Sequence, residues 1–170
     1  MQEEYGELEV PQGQTVQIQT QNQVVNVGNE AIPLNATLRV RVMVQQQEHI
    51  LAFNSTAEEE IEIEENGIKI RTKETIRVTN QKILVGANQS EILVFPLELR
   101  QRIGLKNMTQ VQLHLQNGNP YYEVNGTKAG KLFWLFDVDI PIQAQVHAQT
   151  GDVEKQQDPW CAFLVAYQQE

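Results

Sequence analysis

Asp137 and Asp139 stand two positions apart in a strongly alternating stretch, so a strand carries both carboxylates on one face, roughly 7 Å apart. That separation suits shared ligation of a hard cation or a general acid-base pair. Upstream, EEEIEIEENGIKIRTK at 58–73 gathers six acids within eight positions, a second place where a cation could bind. Cys161 is the chain's single thiol, and it lies inside Trp160-Cys161-Ala162-Phe163-Leu164 with no histidine near it in sequence. A free cysteine in such surroundings reads first as a small core residue, then as an intermolecular disulfide, and last as a nucleophile. His49, His114 and His147 are far apart, so a zinc site has to be assembled wholly by the fold.

The elements that must position these groups are legible from alternation. Asn66-Gly67 is a strong two-residue hairpin signal, and it sits between two alternating runs. A turn there sets Glu64 opposite Lys69, Glu62 opposite Arg71 and Glu60 opposite Lys73 on the solvent face. Ile63 then faces Ile70, and Ile61 faces Thr72, on the other side. Each opposite-charge pair contributes about 0.2–1 kcal/mol, so the acidic run reads as a self-neutralised hairpin ahead of a cation site. Asp137 and Asp139 likewise read as a solvated strand face, because no Asp/Asn-rich calcium loop accompanies them. The chain has no phosphate-cradling glycine loop, no Gly-X-Ser-X-Gly elbow and only two serines. The expectation is a protein that is not an enzyme and needs no cofactor, with a metal-dependent role through Asp137 and Asp139 as an alternative.

Residues 16–20 alternate and then change parity at Val24-Val25, which reads as a bulge or a strand that switches partners. Leu38, Val40, Val42 and Val44 mark a half-buried strand, and 75–78 and 82–85 continue a meander to residue 95. One short helix is expected from Pro96, with Leu99 and Ile103 four apart and Gly104 as its stop. From Leu132 to Ala148 every even position is apolar, a run too long for one strand, so Pro141 is expected to bend it into two. LFWLF at 132–136 is apolar on both faces and is expected to lie deepest in the core. The fold class is α+β, predominantly antiparallel sheet with one short helix. A β-rich part at 14–94 precedes a helix-plus-sheet part at 95–158 and an apolar segment at 159–170, and all three can form one continuous domain.

A net charge of -9 with dispersed Lys and Arg argues against a polyanion-binding protein, so nucleic acid is not an expected partner. No apolar run reaches the roughly 18 residues that a membrane span needs, and residues 1–30 contain no signal-peptide core. Yet Asn-X-Ser/Thr occurs at Asn35, Asn54, Asn88, Asn107 and Asn125, where about one such triplet is expected by chance. The excess points to a glycosylated protein of the extracellular space or cell surface, with a signal or anchor outside this chain.

The segment Val146-His147-Ala148-Gln149-Thr150-Gly151-Asp152-Val153, preceded by Tyr121-Tyr122-Glu123-Val124, resembles the closing hairpin of PepSY-type modules. His147 stands where that motif usually has Asp. The resemblance covers residues 119–154, about a fifth of the chain. The ending Pro159-Trp160-Cys161-Ala162-Phe163-Leu164 is similar to the Pro-Trp-Trp-Ser-Phe-Leu ending of uncharacterised archaeal secreted proteins, departing at Cys161 and Ala162. The resemblance implies a helix on a small antiparallel sheet and a role in binding partner proteins outside the cytoplasm, without chemistry. The alternative expectation is a surface-layer or filament subunit that exchanges an N-terminal strand, 14–27, with a neighbouring copy.

Overall fold

The computed structural model describes residues 8–9, 15–19, 24–27, 30–33, 37–79, 81–133, 135–157 and 165–167. In chain order the strands are β1 (Leu8–Glu9), β2 (Val16–Gln19), β3 (Val24–Val27), β4 (Glu30–Pro33), β5 (Leu38–Val44) and β6 (Gln47–Ser55). Then come β7 (Ile61–Glu65), β8 (Ile68–Thr72), β9 (Ile76–Val78), β10 (Ile83–Val85) and β11 (Ser90–Ile92). The helix α1 (Pro96–Ile103) leads to β12 (Asn107–Gln116), β13 (Asn119–Leu132), β14 (Phe136–His147), β15 (Val153–Gln157) and β16 (Val165–Tyr167). Among the described residues these form two mostly antiparallel sheets and one short helix.

The larger sheet runs β1-β5-β6-β7-β8-β12-β13-β14-β15, with β16 also on β13; the smaller runs β11-β10-β9-β2-β3-β4. Alternation decides which face is inward. Val40, Val42 and Val44 of β5, Phe53 of β6, Val16 and Ile18 of β2 and Ile76 and Val78 of β9 are all buried. Side chains from both sheets, from α1 and from both sides of residue 95 join one hydrophobic cluster. α1 has Pro96 at its first turn and ends on Gly104 at φ 66, whose amide donates to the Gln101 carbonyl. It turns Leu99 and Ile103 inward.

Three sequence expectations are corrected. The parity change at Val24-Val25 is neither a bulge nor a partner switch. β2 and β3 form an antiparallel hairpin in register Val16↔Val27 to Gln19↔Val24, and β2 also pairs β9 within the same chain. Nor does Pro141 break its strand, since β14 is continuous from Phe136 to His147. The Thr127 carbonyl accepts from the Lys106 amide on the β12 side, so Thr127↔Pro141 is a non-hydrogen-bonded pair and the proline nitrogen points away from β13. β15 pairs β14 only from Gln143 onward, so no ladder among the described residues asks Pro141 for a donor. Finally, LFWLF is not the deepest part of the core. The chain reverses between Leu132 and Phe136, which pair, and Phe133, Leu135 and Phe136 are exposed.

Candidate functional site

The acidic hairpin turns at Asn66 (φ 50) and Gly67 (φ 78) and pairs Glu64 with Lys69, Glu62 with Arg71 and Ile63 with Ile70. Lys69 Nζ lies 2.8 Å from Glu62 Oε1 and 3.8 Å from Glu64 Oε2, while Arg71 Nε lies 3.4 Å from Glu62 Oε2. Lys73 Nζ reaches Glu60 at 4.0 Å. The hydrogen bond from Lys69 to Glu62, then the charge of Glu62, hold the lysine above its ordinary pKa. One detail departs from the sequence reading: Glu62 is 8 % exposed, not solvated. β7 is flanked by β6 and β8, so its outer side chains lie between neighbours, and Glu62 there takes both a lysine and an arginine.

Glu65, the last acid of the run, belongs to a different site. Its parity matches Ile61 and Ile63, so it points inward, and it is 5 % exposed. The β6–β7 register runs from Ser55↔Ile61 to Ala52↔Glu64, which sets Glu65 diagonally across from His49. His49 Nδ1 and Glu65 Oε1 are 2.6 Å apart, and the imidazole stacks on Phe95 with centroids 3.7 Å apart. Glu65 Oε2 is buried and has no hydrogen-bond partner. Nearby, Tyr122 is fully buried and donates to the Val94 carbonyl at 2.9 Å; burial, then the charge of Glu65, drive its pKa up. Sequence reasoning missed this pair, although the signal was present: an acid in phase with Ile61 and Ile63, and a histidine in phase with Leu51 and Phe53.

The register brings the other two histidines to either side of one tyrosine, His114↔Tyr121 and Tyr121↔His147. The Tyr121 hydroxyl donates to Glu154 at 3.0 Å, and His147 meets the Tyr121 ring edge-on at 4.8 Å. Desolvation, then the Glu154 hydrogen bond, raises the Tyr121 pKa. Asp137 and Asp139 do share a face of β14, but each has a lysine: Lys131 at 2.8 Å and Lys106 at 2.7 Å. No group of three His, Cys, Asp or Glu among the described residues is arranged to hold a metal ion. Cys161 and Asn35 lie outside the described residues.

Of the remaining glycosylation triplets, Asn88 is exposed in the turn before β11 and Asn107 is exposed at the start of β12. Asn54 is half-buried in β6, its Oδ1 accepting from Thr37 Oγ1 at 2.6 Å. Asn125 is half-buried in the middle of β13, its amide directed at Gln110.

Among the described residues the β13–β14 hairpin is the longest strand pair. β12 accompanies β13 as far as Thr127, and β15 is described against β14 as far as Gln143↔Gln157. From Lys128↔Ile140 to Leu132↔Phe136 the hairpin forms an arm of about 15 Å, with β16 beside Gly130–Leu132. Phe133, Leu135 and Phe136 at its end are 51 %, 76 % and 62 % exposed, more than any other large apolar side chain among the described residues. A run of exposed aromatic and aliphatic groups at one tip is the kind of apolar patch that marks a contact surface. Around its base stand Lys106, Lys128, Lys131, Asp137 and Asp139, with Lys128 Nζ donating to the neutral Gln156 amide at 3.3 Å. The sequence reading placed the apolar tip in the core, so it offered no contact residue here.

Compared with family models, curated proteins and solved structures, the chain matches none. No helix among the described residues is long and apolar enough to cross a membrane.

Proposed function

We propose that this chain is a non-enzymatic binding module that works outside the cytoplasm at a cell surface, and that its contact element is the apolar tip of the β13–β14 arm. The observation that carries the reading is the joint exposure of Phe133, Leu135 and Phe136 at the end of the β13–β14 hairpin. Two further points support it. Of the carboxylates that first invited a catalytic or metal-binding role, Glu60, Glu62, Glu64, Asp137 and Asp139 each lie within 4.0 Å of a lysine or arginine. The triplets at Asn88 and Asn107 lie exposed, where a glycan transferase has access. The resemblance of 119–154 to PepSY-type modules favours a binding role as well, but the proposal rests on the tip.

Two measurements test this. In intact mass spectra of protein isolated from its own cells, N88Q and N107Q should each remove one glycan, and N54Q and N125Q should remove none; unmodified asparagine at every triplet would overturn the location. In a second assay, the wild-type chain should sediment with washed envelopes of the same cells, while the double variant L135D/F136D stays in the supernatant. Equal sedimentation would remove the tip as the contact element.

A further inference from the structure

We infer that the surface engaged by the tip is the headgroup layer of a zwitterionic phospholipid membrane, an inference that rests on reading the tip as the contact element. Three features argue for lipid. The first is shape: Phe133, Leu135 and Phe136 lie exposed at the end of the β13–β14 hairpin, past the last pair of β12 with β13 and with β16 alongside β13. An exposed apolar hairpin end suits a deformable phase, because acyl chains close around it without a preformed socket.

The second is order along the arm. The apolar side chains occupy the end, and the next residues back on each strand are Lys131 and Asp137, followed by Lys128, Lys106 and Asp139. Long lysine stems let ammonium groups sit at the interface while their carbons stay in apolar surroundings. The third is charge. The chain carries -9 overall, yet this collar holds three lysines against two aspartates. The pairs Lys131–Asp137 and Lys106–Asp139 are exposed and of mixed sign. Such a collar complements a headgroup that itself carries a phosphate and an ammonium: lysine meets the phosphate and aspartate the ammonium. Strongly anionic lipid, in contrast, faces the negative field of the rest of the molecule.

The test is flotation of the full chain with vesicles of phosphatidylcholine alone and of phosphatidylcholine mixed with phosphatidylglycerol. Wild type should float with phosphatidylcholine vesicles and more weakly with the mixture, the difference shrinking as salt is added. L135D/F136D should float at least about tenfold less, since two inserted apolar side chains are replaced by charge. Ile50 is an exposed apolar residue of β6 remote in sequence from the arm, and I50D should float as wild type does. Both variants alter exposed positions, so thermal melts identical to wild type establish that they fold. Flotation that survives L135D/F136D, or that requires phosphatidylglycerol, overturns the inference. Tip-dependent sedimentation with cell envelopes but no flotation with vesicles assigns the partner to a protein, which overturns the lipid inference and leaves the contact reading standing. Loss of both removes both.

Discussion

Replacing His49 with phenylalanine while Glu65 is kept should cost about 3–5 kcal/mol of folding stability, a large share of the 5–15 kcal/mol typical of a domain. Glu65 is 5 % exposed and one of its oxygens already has no partner; without His49 the carboxylate loses the other. The converse single change, Glu65→Leu, leaves an imidazole donor unpaired and should cost about 1–3 kcal/mol. The double variant H49F/E65L should be more stable than either single variant, because an apolar pair of similar volume avoids the desolvation cost and a phenyl ring at 49 keeps the stack on Phe95. Denaturant unfolding at neutral pH measures all three against wild type. Additive losses in the double variant would show that the two side chains are not coupled.

Gly126→Ala should be strongly destabilising. A Cβ there would lie 2.3 Å from the Asn107 backbone carbonyl oxygen and 3.0 Å from Leu105 Cδ1. The approach lies beside the β12 register shift between Met108 and Gln110 and next to the Lys106 to Thr127 hydrogen bond. Backbone cannot swing aside as a side-chain end can, so the expected loss is about 2–3 kcal/mol, the upper part of the usual overpacking range. Gly67→Ala is the comparison: nothing lies within 4 Å of its added Cβ, and only the positive φ penalises it. If Gly126→Ala costs no more than Gly67→Ala in the same unfolding assay, the contact is not limiting. Gly126 is also the middle residue of the Asn125 triplet, so its presence there has a packing reason of its own.

How much could be read in advance depended on the parity of the turns. The Asn66-Gly67 hairpin was legible to the residue because its two-residue loop flips parity and carries its own turn chemistry. The pairing of Gln19 with Val24 also flips parity, but the sequence between them is a polar run of Gln, Thr and Asn that announces no particular reversal, so the flip reads as a fault in one strand. At the arm the loop has three residues, so Leu132 and Phe136 fall in phase and the even-position pattern runs through the reversal unbroken. Nothing among 131–137 is Gly, Pro or Asn to mark it. Hence the apolar tip was assigned to the core. The Gln45-Gln46 turn, at φ 51 and 66, was hidden for a related reason, since glutamine is not a residue that ordinarily signals such a turn. α1 was clear because Pro96 and Gly104 bracket it physically. The His49–Glu65 pair needed cross-strand register, which alternation within one strand does not supply.

Most strands pair with a neighbour in sequence, but among the described residues four junctions do not: β1–β5, β13–β16 and, across the longest intervening stretches, β8–β12 and β2–β9. β8 meets β12 in parallel through one register pair, Gln112↔Arg71, and β2 finds β9 across some sixty residues. The short-range hairpins can zip early at little entropic cost, whereas these two closures must each gather a long intervening loop before any contact rewards them. On contact-order grounds the halves of the larger sheet should assemble before they are joined, with β2 captured late.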